Sequence, residues 1–182
     1  MVAVLTPHDG VDWQVPAGSL EWSCWQTAAH VAHDLLSYAG QVAGHADAGY
    51  LGLNLVVSLE ASPREVLRIV SACGRLLSCA VANAGDGPVA WHWGMSDAAG
   101  FAAMGVGETL VHTYDITQGF GAAWRPPDPL SRLVVDRLLP DAPSGNPTSV
   151  LLWATGRENL EGHPRVGEWV WRAALPRRGT AP

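Results

Sequence analysis

The sequence predicts a mostly all-α protein whose core is a four-helix bundle. Three observations lead there. Two capping boxes open long amphipathic stretches, apolar residues recur at helical spacing in four segments, and glycine or proline punctuates the gaps between them. A small C-terminal extension carrying a strand-like segment is expected to complete the fold. The expected partition is residues 1–140 for the bundle and 141–182 for the extension.

Residues 1–22 carry the turn signals Asp9-Gly10 and Pro16 to Gly18 and read as irregular. Ser23 and Gln26 form a capping box, which starts a helix running to about Ala43 with Gly44 as its stop. Its apolar stripe is Val31, Leu35, Tyr38 and Val42. Residues 50–60 alternate loosely and read as extended. Ser62-Pro63-Arg64-Glu65 is the second capping box, with proline at the first helical position. The helix behind it carries Val66, Ile69, Val70, Cys73, Leu76, Leu77 and Ala80 and is expected to end near Gly85-Asp86-Gly87.

Trp91-His92-Trp93-Gly94 reads as a loop, and Ser96 or Asp97 can cap a third helix from about Ala98 to Gln118. Gly100, Gly105 and Gly107 oppose that helix at about 1 kcal/mol each against alanine, and such glycines often mark close approach of a neighbour. Asp128-Pro129 opens a fourth helix, with Leu130, Leu133, Val134 and Leu138 expected on its buried face. The tail holds Val150-Leu151-Leu152-Trp153 and the strand-like Glu168-Trp169-Val170-Trp171, and Pro176 to Pro182 are expected to be disordered.

Composition narrows the function classes. At 48% hydrophobic and 15% charged, with nine tryptophans in 182 residues, the chain can fill a core. A formal charge of −6 opposes binding to a phosphate backbone, so no nucleic-acid partner is expected. No apolar run is long enough for a membrane span, and the first ten residues lack the cationic start of a signal peptide, so the expected address is the cytoplasm. All eleven basic residues are arginine, which suggests a GC-rich genome. Cys24, Cys73 and Cys79 form no CxxC pair and read as free thiols in apolar settings.

Chemistry concentrates on the third helix. Glu108 and His112 are four apart, so they share one face and can converge on one ion. Their neighbours Phe101, Met104, Leu110, Val111 and Ile116 are apolar, and a buried Glu and His need a partner to offset desolvation. A Glu–His hydrogen bond inside the core is the plain alternative. A third ligand has to come from another helix, where His30 and His33 are both available. Two imidazoles and a carboxylate suit zinc first, with nickel, iron or manganese as alternatives, and three protein ligands leave coordination positions open.

Three blocks of the chain resemble the DinB-like superfamily, in its mycothiol-dependent maleylpyruvate isomerase branch. They are Trp22 to His30 (WSCWQTAAH) with Tyr38-Ala39, Gly105 to Ile116 (GVGETLVHTYDI), and Leu151 to Arg157 (LLWATGR). The resemblance implies His30, rather than His33, as the first ligand, because a tryptophan precedes the family's metal histidine by about two turns. It implies Glu108 and His112 as the other two. It further implies a divalent metal that binds a low-molecular-weight thiol such as mycothiol as thiolate, for isomerisation or S-transfer onto a small electrophile.

Two departures temper what carries over: the helix before Trp22 is short or missing, and the tail is too short for the isomerase's extra domain. Maleylpyruvate is therefore not the expected substrate. A homodimer is a candidate for covering the face that the short first helix leaves open.

Around the ligands, Asp115 is placed to orient His112, and His92 or Tyr114 to move protons. Trp22 and Arg157 are the candidates for holding the thiol cofactor. Each has a plainer alternative: His92 packed between indoles, Trp22 in the core, Arg157 in a surface ion pair. The rival functions are a metal-binding stress or regulatory protein without turnover, and a metal-dependent hydrolase.

Overall fold

The computed structural model describes residues 1–175, so the tail from Pro176 to Pro182, expected to be disordered, lies outside the described residues. The described chain is mostly helical, with one two-stranded antiparallel sheet. The N-terminal stretch is less irregular than the turn signals suggest. Helix α1 spans Val2–Leu5 and a 3-10 turn follows at Thr6–His8, with Leu5 fully buried.

Helix α2 (Cys24–Gly44) starts at the capping box, in which Ser23 Oγ accepts from the Gln26 amide and the Gln26 side chain accepts from the Ser23 amide. Its whole predicted stripe is buried. The left-handed residue after it is His45 (φ 48) instead of a glycine. Gln41 holds the loop that follows: its amide donates to the carbonyls of Gly49 and Trp91 and accepts from the Leu51 amide. Residues 50–60 form no strand.

Helix α3 (Pro63–Ala82) begins at the second capping box. Val66, Val70, Cys73 and Leu77 are buried, but Leu76 is exposed, because it lies off the stripe that faces α2. The expected loop at 91–94 is the turn of a hairpin. Strand β1 (Pro88–Trp91) pairs with β2 (Met95–Asp97), and the turn needs positive φ at Trp93 (54) and Gly94 (137).

Helix α4 (Ala98–Gly119) is capped by Asp97, whose carboxylate accepts from the Gly100 amide. Helix α5 (Asp128–Leu138) buries Val134 and Leu138, while Leu130 and Leu133 point outward; Ser131 takes the buried position expected for an apolar side chain. The apolar run at 150–153 belongs to a further helix, α6 (Pro147–Ala154), opened by Asn146 accepting from the Ser149 amide.

Helix α2 packs on α3 and α4, α4 on α5, and α5 on α6. The strand-like segment around Trp171 has no ladder partner. It crosses the helices as an extended strap, with Trp171 and Ala173 buried in the same core as Val31, Phe101 and Met104. The Arg172 amide donates to the Leu138 carbonyl and the Leu175 amide to the Met95 carbonyl. Among the described residues, no helix is long and apolar enough to cross a membrane.

Candidate metal centre

Helix α2 supplies His30, and α4 supplies Glu108 and His112. One donor atom from each side chain lies within 4.8 Å of the other two, a spacing that can hold a metal ion. The i, i+4 spacing on α4 sets the first pair, and the packing of α2 against α4 brings in the third. His33, the alternative on α2, is turned away: its Nδ1 accepts from the Leu55 amide at 3.1 Å and its Nε2 faces Ser37.

Glu108 is buried, and its two oxygens differ. Oε1 accepts from the Trp171 indole N–H at 2.6 Å and from the Tyr38 hydroxyl at 3.4 Å. Oε2 is buried with no hydrogen-bond donor directed at it, although His112 Nε2 stands 3.2 Å away. Leaving a buried acceptor bare costs about 1–3 kcal/mol, and more for a charge; a proton on His112 Nε2 or a cation between these side chains answers the deficit. The donor set fits a zinc-like divalent ion.

His112 is oriented from behind. Its Nδ1 bonds Asp115 Oδ2 at 2.9 Å, which leaves the Nε2 lone pair of the neutral ring facing Glu108 and His30. Asp115 is held in turn by Arg157, through Nε to Oδ1 at 3.1 Å and Nη2 to Oδ2 at 2.8 Å. Burial works against a charged His112, but the carboxylates of Asp115 and Glu108 outweigh it and push the ring up to about 9 when no ion is bound. Burial also opposes ionisation of Glu108, yet His112, the Trp171 N–H and His30 hold its carboxyl below the usual range. His30 goes the other way: burial, then the neighbouring His112, lowers it to about 4. At neutral pH it is uncharged and available as a ligand.

The predicted accessory residues divide. Asp115 sits where the spacing placed it. Trp22 packs against His30 in a tilted arrangement, with ring centroids 4.7 Å apart and planes at 57°, and is half exposed. Together with Trp25, Ala29, Leu55 and Val57 it lines a groove of about 340 Å³ that reaches His30. Arg157, expected to receive a cofactor's carboxylate or to form a surface pair, is committed to the buried Asp115 and to the Thr155 carbonyl.

His92 is buried but does not pack between its neighbouring indoles. Its Nδ1 accepts from the Tyr50 hydroxyl at 2.7 Å, and its Nε2 donates to the Trp171 carbonyl at 3.3 Å. Burial lowers its pKa, so it is neutral. Tyr114 lies apart from the three ligands, donating to Glu158, which also pairs with Arg125. Burial and Glu158 push its hydroxyl up to about 12, a poor setting for proton transfer. Cys24 and Cys73 are buried as expected for apolar thiols, whereas Cys79 is exposed.

Two residues at the centre escaped the sequence reading. Asp34 Oδ2 lies 3.2 Å from His30 Nε2, and burial, then Glu108, raises it to about 7. The i, i+4 relation to His30 was the signal for it. Trp171 reaches Glu108 from 63 positions away, and nothing local announces such a contact.

Comparison with family models, curated proteins and solved structures found no match to this chain.

Proposed function

We propose that this chain is a metal-dependent, thiol-using enzyme of the mycothiol type, an S-transferase or isomerase acting on a small electrophile. In this reading α2 to α5 form a DinB-like four-helix bundle, and the protein works in the cytoplasm on small molecules. The observation that carries it is the convergence of one donor atom each from His30, Glu108 and His112 within 4.8 Å, around a buried Glu108 Oε2 that has no well-directed hydrogen bond. His30, Glu108 and His112 would hold the ion, with zinc the first expectation. A bound divalent metal supplies one thing: it deprotonates a coordinated thiol outright, where a free thiol has a pKa of about 8.5.

The chain's own residues supply the rest. The Arg157–Asp115 pair fixes the His112 ring and keeps Nε2 directed inward. The indole of Trp171 and the hydroxyl of Tyr38 fix Oε1 of Glu108 and so aim Oε2. The groove beside His30, lined by apolar side chains together with Gln26, His33 and Asn54, gives a small molecule access from one side, with Trp22 on its wall. Burial of the far side by α4 and the strap excludes water there.

The test is metal analysis of the purified protein, followed by thiol consumption with a neutral epoxide or halogenated arene and a panel of small thiols that includes mycothiol. The expected result is about one zinc per chain and thiol loss that stops on chelation. A chain that takes up no zinc overturns the reading. Zinc without thiol loss overturns the enzymatic part and favours a metal-binding protein without turnover.

A further inference from the structure

Helices α2 and α4 place the donor atoms, but one of the three ligands is aimed from outside them. Residues 168–175 run across α4 and α5, and their one deeply buried large side chain, Trp171, donates its indole N–H to Glu108 Oε1 at 2.6 Å. The strap is fastened at the indole's own residue and at the residues that follow it. His92 Nε2 donates to the Trp171 carbonyl, the Arg172 amide to Leu138, and Ser96 Oγ and Arg137 Nη2 to the Ala173 carbonyl at 2.7 and 2.8 Å.

The glycines of α4 give an independent reason to read this as a built arrangement. A Cβ on Gly107 would stand 2.9 Å from Cζ2 and 3.1 Å from Cη2 of the Trp171 ring, and a Cβ on Gly100 would meet Ser96, Arg137 and the Ala173 carbonyl. Each glycine weakens a helix by about 1 kcal/mol relative to alanine. Here two of them open a trough that lets the strap lie close enough for the indole to reach the carboxylate one residue further along.

We propose that Trp171 is a positioning residue of the metal centre, and that seating of the strap and binding of the ion are thermodynamically coupled through Glu108. The inference rests on the metal-binding reading above. With Oε1 held by the indole, the carboxylate cannot rotate to give both oxygens to His112 or to turn away, and Oε2 is presented to the ion. By reciprocity, an ion that favours the oriented carboxylate favours the seated strap by the same factor.

The test uses the full chain and zinc alone. Zinc affinity is measured by competition with a chromogenic chelator for the wild type, Trp171→Phe and Gly107→Ala, and cobalt spectra are recorded for each. Trp171→Phe keeps an aromatic ring in the trough and removes the N–H. The expected result is a loss of about 10–100-fold in zinc affinity, the range for residues that orient ligands from behind, with an altered cobalt spectrum and unchanged far-ultraviolet circular dichroism. Gly107→Ala is expected to raise helix propensity and still weaken zinc, because its methyl displaces the indole. That combination is not produced by a merely structural role, and it decides the matter where Trp171→Phe does not fold. Wild-type affinity in both variants overturns the proposal while leaving the metal site intact. A wild-type chain that binds no zinc overturns the metal reading and this inference with it.

Discussion

The two imidazoles of the centre are held in opposite ways. His112 is buried, bonded through Nδ1 to Asp115, and backed by Arg157 in a chain of three side chains that is closed to solvent. The His30 side chain is 29% exposed, packs against a half-exposed tryptophan, and faces Asp34 and an open groove. One side is preorganised and the other accessible.

Breaking the preorganised side has the largest expected effect. Asp115→Ala leaves the Arg157 guanidinium, 8% exposed, without its partner, and removing one member of a buried pair costs about 3–5 kcal/mol. Urea unfolding checks this; a loss below about 1 kcal/mol would show that the pair is not as enclosed as it stands here. Next comes the pair of ligand deletions. His112→Ala is expected to abolish measurable zinc binding, whereas His30→Ala leaves weakened binding, since Glu108 and the oriented His112 persist. Chelator competition compares them, and equal losses would erase the distinction between the two sides.

The smallest effect is a pH dependence of the hinge between hairpin and strap. Burial depresses His92 in the folded state. The unfolded chain therefore takes up the proton first, and the stability contributed by the neutral ring is complete above about pH 6.5. It is lost as pH falls from there through the lower folded value. Equilibrium unfolding between pH 7 and pH 5 is expected to show this decline, and His92→Gln to flatten it; an unchanged slope in the variant would place the acid sensitivity elsewhere.

How much of this was legible in the sequence follows from how local each signal is. Helices α2 and α3 announce themselves by capping boxes and apolar stripes; α2 ends within a residue of its expected limit, whereas α3 stops at Ala82, short of the expected end near Gly85-Asp86-Gly87. The Glu108–His112 spacing and Asp115 one turn on are likewise local facts about α4. The rest depends on distance in the chain. A hairpin with a three-residue turn and a single glycine carries little turn signal. The short apolar run of α6 does not distinguish a buried helix from a buried strand. Periodicity puts Leu130 and Leu133 inward, but Ser131 takes the inner position, with its hydroxyl 3.1 Å from Thr148 Oγ1 of α6.

The glycines of α4 show the limit most plainly. Read alone, they argue against a helix. Read with Leu35 and Leu77 beside Gly105, and the Trp171 ring beside Gly107, they are the places where neighbours come close. Single-sequence reading suspects such an approach but cannot say which segment makes it.

The strap also fixes an order of assembly during synthesis. His30, Glu108 and His112 are all synthesised before residue 171, so the carboxylate is made before the indole that steers it. Under the proposed coupling, an ion that arrives before the strap is seated is held less tightly than one that arrives after it.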